Sequence, residues 1–254
     1  MAQLSTNVAR RYSQRIANYE FPPGAPELRR QIARRMSEQG CPVDPNDILI
    51  TNGCQEAISL ALRAVSKPGD IVAVESPTFY GLLQIIESLS LRAMEIPTHP
   101  RDGIALEALQ LACEQWPIKA CIAVPNYSNP LGYCMSDTRK RALVELINRN
   151  RIMLIEDDIY GDLGFAPQRP SLAKSWDSEG RVLYCSSFSK SLCPGLLVGW
   201  LGGGAVPGTN RIPEIRWQSG DVNPRAIDGR GNADQGRLRA PSASGAQPIP
   251  ASDG

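Results

Sequence analysis

Short apolar runs at residues 48–51, 71–75, 91–96, 119–124, 152–155 and 182–185 alternate with segments whose apolar residues fall three and four apart. The runs have strand length. The segments between them, at 26–39, 57–65, to about 88, 104–115 and 137–148, have helical spacing. This alternation predicts βαβ units, and so an α/β fold with a mostly parallel sheet covered by helices on both faces. In such sheets ligands sit beyond the carboxyl ends of the strands. Polar clusters at 52–56, 76–81, 125–132, 156–160 and 186–195 each follow a strand. They are expected to converge on one crevice.

Local signals set the element ends. Pro26 belongs in a first helical turn, with Leu28, Ile32 and Met36 on one face and Gly40 as the C-terminal cap. Ser136 has the character of an N-cap. Residues 1–17 read as a short amphipathic helix or arm, closed off by Pro22-Pro23-Gly24. Residues 197–201 could form a short return strand. After Gly202-Gly203-Gly204 the chain becomes rich in Gly, Pro, Arg, Ser and Asp, and no apolar period survives. Such a stretch cannot offset its ordering entropy and reads as disordered. The expected organisation is an arm over 1–25, one large domain over 26–203, and a tail over 204–254.

Composition excludes several classes. A net charge of +1 gives no electrostatic reason to bind nucleic acid or a membrane surface. The seven cysteines form no C-x-x-C pair, which points to reduced thiols in a cytoplasmic protein and against a zinc site. His99 is the single histidine, so a His-rich metal centre is excluded and a Ser-His-Asp triad is disfavoured. In its Pro-Thr-His-Pro setting it reads as a solvated turn residue. The first residues lack an apolar signal core, and no run reaches membrane-spanning length.

The stretch from Ser186 to Gly195 carries the chemistry. Lys190 lies among small hydroxyl residues just after a strand and before Pro194-Gly195. A lysine amine can form a Schiff base with an aldehyde when its surroundings help to keep it unprotonated. Neighbouring serines supply hydroxyls and amides of the kind that hold a phosphate. Lysine, aldehyde and phosphate together suggest pyridoxal 5'-phosphate.

Three motifs, Asn129-Pro-Leu-Gly, Ile155-Glu-Asp-Asp-Ile-Tyr-Gly-Asp-Leu and Cys185-Ser-Ser-Phe-Ser-Lys, stand in order, each after a strand. Over about residues 4–203 the chain resembles the fold-type I pyridoxal-phosphate aminotransferases of class I/II. More closely, it resembles the aminotransferase-like effector domain of MocR-type regulators in the GntR family. The resemblance implies that Lys190 joins the cofactor aldehyde and shuttles a proton at the substrate α-carbon. It implies that Asp157, rather than the adjacent Asp158, pairs with the pyridine nitrogen. Keeping that nitrogen protonated makes the ring an electron sink, which requires an anion there. Tyr160 and Asn129 match residues that hydrogen-bond the phenolic oxygen, and Ile159 packs on one ring face. Phe79, or alternatively Tyr80, stacks on the other. Gly53, Cys54 and Gln55 open a helix whose amides face the phosphate. Ser187 and Ser189 complete that cup, and Tyr19 matches a tyrosine that reaches the phosphate from a partner subunit.

Two departures matter. Leu197 stands where the family pattern Pro-Gly-Leu-Arg-x-Gly-Trp has an arginine that binds the phosphate, and leucine can neither donate nor neutralise. The second expected departure is that the family's smaller C-terminal domain and the winged-helix domain of the MocR-type regulators are missing. The resemblance therefore implies amino-group transfer between an amino acid and a 2-oxo acid, impaired by truncation, with a homodimer as the family's assembly. The alternative is a sensing domain for amino acid and cofactor that makes no direct nucleic-acid contact of its own. A remnant that does neither is the third reading.

Overall fold

The computed structural model describes residues 2–13 and 20–203. Tyr19 and the tail over 204–254 lie outside the described residues. Helix α1 (Ala2–Arg11) precedes α2 (Pro26–Glu38), and the sheet starts with β1 (Ile48–Asn52). There follow α3 (Cys54–Val65), β2 (Ile71–Ser76), α4 (Tyr80–Ser88), β3 (Arg92–His99) and β4 (Gly103–Ile104). The remainder is α5 (Leu106–Gln115), β5 (Ile118–Ala123), α6 (Asp137–Asn150), β6 (Met153–Asp157), β7 (Val182–Ser187) and β8 (Val198–Gly202).

The strands form one sheet in the order β1-β8-β7-β6-β5-β2-β3-β4. Strands β3, β2, β5, β6 and β7 run parallel, and β8 is antiparallel to both β7 and β1, which gives β1 the common direction. The parallel α/β architecture is therefore as expected, and the return strand is present between β7 and β1. The far edge of β1 is covered by the arm, where the Ile50 amide donates to the Pro23 carbonyl at 3.0 Å.

Strand alternation sends neighbouring residues to opposite faces. Val72 and Val74 of β2, Ala120 and Ile122 of β5, and Met153 and Ile155 of β6 pack with Ala57, Ile58, Ala61 and Leu62 of α3 and with Leu82 and Ile86 of α4. Their alternates Ile71, Ala73, Cys121, Ala123 and Leu154 pack with Leu109 of α5 and with Leu143 and Ile147 of α6. Helix α2 covers Ile48, Tyr184 and Trp200 through Ile32 and Met36. The sheet is thus covered on both faces.

Helix boundaries follow the local chemistry. Beyond α2, Gly40 takes φ +75°, and the Gly40 and Cys41 amides return to the Ser37 and Met36 carbonyls, each at 3.0 Å. Ser136 Oγ accepts from the Arg139 amide at the start of α6. Several boundaries differ from expectation, and α3 begins at Cys54 rather than at residue 57. The helix expected over 104–115 begins at Leu106, because Gly103 and Ile104 pair with His99 and Thr98 as a hairpin. His99 accordingly ends β3 rather than sitting in a free loop. It remains exposed, and its Nδ1 accepts from the Arg101 and Asp102 amides.

Candidate active site

Strand parity decides which of three consecutive acids meets α3. Asp157 shares the face of Met153 and Ile155, whereas Glu156 and Asp158 lead away from it. Cys54, the first residue of α3, donates its thiol to Asp157 Oδ1 at 3.2 Å, and the Ile159 amide donates to the same oxygen at 3.1 Å. Oδ2 accepts no hydrogen bond among the described residues, and the residue retains partial exposure. Burial raises the Asp157 pKa to about 6; the Cys54 thiol and the Ile159 amide hold it down, and the Asp158 charge adds to the rise. Burial and the same carboxylate push the Cys54 thiol well up, so it stays a neutral donor.

Asp158 is fully engaged elsewhere. Asn126 Nδ2 donates to its Oδ1 at 2.9 Å, Tyr184 Oη to its Oδ2 at 2.7 Å, and Arg169 pairs with the same oxygen. Glu156 accepts from the Ala173 and Lys174 amides at 2.7 and 2.9 Å. Both acids therefore hold the fold together, which leaves Asp157 as the acid with a free oxygen.

The turn before α3 is shaped by two glycines. Gly53 has φ +86°, a conformation that favours glycine, and at the N-cap position it offers no side chain to cap the helix. Its backbone lies directly under Gly199 of β8: a Cβ on Gly199 would come within 2.6 Å of the Gly53 oxygen. Glu56 in the first turn bends back to accept from the Asn52 amide at 2.5 Å. The amides of Cys54, Gln55 and Glu56 have no partner among the described residues, as at any uncapped helix start. Such an end attracts anions.

The other anticipated residues lie in the segments that follow the strands. Asn129 Nδ2 donates to Tyr160 Oη at 3.0 Å, so the loops after β5 and β6 meet through these two side chains. Phe79 immediately precedes α4 and is partly buried, whereas Tyr80 is exposed. A Cβ on Gly81 would meet both the Phe79 ring and Gln55 Nε2 at 2.9 Å, which brings Phe79 and Gln55 to one place. Ile159 packs on the α3 side. Ser187 is buried at the end of β7, and its Oγ accepts from the Ser189 amide at 3.2 Å. Lys190 follows on a turn at the carboxyl end of the strand next to β6. It is exposed, without a hydrogen bond or ion pair among the described residues. Leu197 has φ +47° and is 57% exposed, and Leu192 and Leu196 are exposed as well.

This donor set suits a phosphate at the open start of α3 and a protonated ring nitrogen at Asp157 Oδ2. Two contributions carried no motif. The Cys54 side chain acts on Asp157, beyond the backbone role expected of it. Gly199 permits the close approach to Gly53, and an isolated glycine in a strand is the signal that points to such an approach.

The profile of the family described as aminotransferase class I and II matches residues 3–213. The chain is 53% identical over 191 residues to an uncharacterized HTH-type transcriptional regulator, YjiR, of Escherichia coli, covering 75% of this chain and 41% of that one. It is 32% identical over 228 residues to aromatic-amino-acid aminotransferase 1 of Thermococcus litoralis, covering 87% and 54%. The kynurenine aminotransferase of Pyrococcus horikoshii, solved with PMP, superposes with a TM-score of 0.74 at 30% identity, over 80% of this chain and 51% of that one. The chain thus spans about half the length of these relatives, or somewhat less. By the extent of the profile match and the shared fold, this chain belongs to the class I and II aminotransferase family.

Proposed function

We propose that the chain binds pyridoxal 5'-phosphate and serves amino-group transfer between an amino acid and a 2-oxo acid. The observation that carries this reading is the free Asp157 oxygen at the carboxyl end of β6, tied through Cys54 to the uncapped start of α3. When bound, the cofactor supplies an electron sink for the pair left at the substrate α-carbon. The chain's residues do the rest. Asp157 Oδ2 holds a proton on the ring nitrogen. The Gly53, Cys54 and Gln55 amides, with Ser187 and Ser189, take the phosphate. Asn129 and Tyr160 present donors to the phenolic oxygen, and Phe79 and Ile159 pack against the ring faces. Lys190 Nζ, on the turn after β7, anchors the cofactor aldehyde and moves a proton at the α-carbon.

The test is a titration with pyridoxal phosphate followed by visible absorption. A band that appears with the wild-type chain and is lost in Lys190→Ala is expected, and no band with the wild-type chain overturns the reading. Turnover is then measured with a panel of amino donors. A second reading, in which cofactor and amino acid are sensed without turnover, is favoured by the 53% identity to a transcriptional regulator. It predicts spectral change on adding amino acid but no 2-oxo acid product.

A further inference from the structure

The loop that carries Asn129 is fastened from the face of the sheet opposite α3. Tyr133 is buried, and its hydroxyl donates to Glu75 Oε1. Glu75, itself 2% exposed, accepts from the Val124 amide through Oε2 at 3.3 Å. It lies near the end of β2, on the same face as Ile71 and Ala73. One carboxyl therefore joins the ends of two neighbouring strands to a side chain four residues beyond Asn129. The loop between closes on itself, with the Ser128 amide donating to the Tyr133 carbonyl at 2.9 Å and the Gly132 amide to the Ser128 carbonyl at 2.6 Å. Gly103 seals the position, since a Cβ there would meet the Tyr133 ring at 2.9 Å. Asn129, within this loop, is the residue that reaches Tyr160. Buried ionic pairs are often replaceable by apolar residues of similar volume without loss of stability. The buried carboxyl–hydroxyl pair therefore calls for a geometric reason.

We propose that Glu75 and Tyr133 are positioning residues whose hydrogen bond holds the Asn129 loop, and with it the Asn129–Tyr160 pair, in place against the phenolic oxygen of the cofactor. The inference rests on the cofactor reading above, so its test has one arm with the cofactor and one without. The titratable groups on the face of Glu75 are Tyr133 and Cys121 of β5, and Asp157 of β6 acts on it by charge from the other face.

In the first arm the full chain is loaded with pyridoxal phosphate and the visible band is titrated with pH. Tyr133→Phe should keep the band but change its proton affinity about fivefold, in the same direction as Asn129→Ala. The double variant should match Asn129→Ala alone. Glu75→Leu, which fills the volume without an acceptor, should reproduce the change, and Glu75→Gln, which retains one, should largely restore the wild-type profile. An unchanged profile in both Tyr133→Phe and Glu75→Leu, or additive shifts in the double variant, overturns the proposal. In the second arm, hydrogen exchange is followed in the cofactor-free chain. The Ser128 and Gly132 amides should exchange at least about fivefold faster in Tyr133→Phe and in Glu75→Leu. Unchanged exchange overturns the proposal. If the wild-type chain shows no band, the cofactor reading fails and the exchange arm alone decides whether the clasp holds the loop.

Discussion

The Cys54 thiol and the Asp157 carboxylate, 103 residues apart in the chain, meet at 3.2 Å. The helix start suited to an anion is thereby tied to the acid suited to a cation. Asp157→Asn keeps the shape and removes the charge. Its expected effect is a rise of roughly 10- to 150-fold in the pyridoxal phosphate dissociation constant, the equivalent of one charge-assisted hydrogen bond. Cys54→Ala removes a donor that holds the Asp157 pKa down, so cofactor affinity should weaken further as pH falls. Absorption titrations across pH check both.

The adjacent acid should behave differently. Asp158→Asn leaves Arg169, which is 16% exposed, with Asp162 as its remaining acidic partner and weakens the bonds from Tyr184 and Asn126. Breaking a buried pair from one side costs about 3–5 kcal/mol, and the retained Asp162 contact keeps this change at or below the low end. Denaturant unfolding should show the loss in Asp158→Asn and little loss in Asp157→Asn.

Gly199→Ala drives a methyl group into the Gly53 backbone, which cannot swing aside like a side chain. Overpacking of this kind costs about 1–3 kcal/mol. A lower Tm and weaker binding of inorganic phosphate are expected together, because the strained turn is the one that opens α3. Phosphate binding unchanged in a destabilised variant would separate the two effects and reject the link.

Leu197→Arg introduces a donor and a positive charge at an exposed site in the turn after Lys190. Under the proposed function, pyridoxal phosphate binding should tighten by roughly 10- to 150-fold, with a steeper dependence on ionic strength. An unchanged dissociation constant would remove position 197 from the phosphate site.

Burial raises the pKa of Glu75 and Glu156 to about 7 and of Asp157 to about 6, from ordinary values of 4.5, 4.5 and 3.8. Between those limits the native cofactor-free chain holds more protons than the unfolded chain. Stability contributed by these groups is therefore complete below their ordinary values and is lost as pH rises to about 7. Asp162, held low by Arg169 and Arg35, acts in the opposite sense only as pH falls through its own lowered range. The Tm of the cofactor-free chain should accordingly decline from about pH 5 to pH 8, and Glu75→Gln should flatten part of that decline.

Much of the architecture was legible because βαβ units leave both a period and a length in the chain. The position of the polar clusters after the strands was legible because each apolar run ends in one. The choice of Asp157 over Asp158 came from resemblance, and strand parity gives it a physical reason. Strand order was not legible, since no local pattern tells β8 to insert between β7 and β1. The β4 hairpin was missed because Ile104 also satisfies a helical spacing. The Glu75–Tyr133 bond joins residues 58 apart through tertiary packing, and neither residue type announces such a partner.

The insertion of β8 has a consequence for how the molecule is made. Strand β1 is hydrogen-bonded to no strand but β8 among the described residues, with Leu49 opposite Leu201. During synthesis residues 48–52 must wait for residues 198–202 before they can join the sheet, a closure that spans most of the domain. Long-range closures of this kind are slow and leave strand edges open in the interim. The Gly53 turn is thus among the last parts completed, and a growing polypeptide carries the open start of α3 unfinished until nearly the whole sheet has emerged.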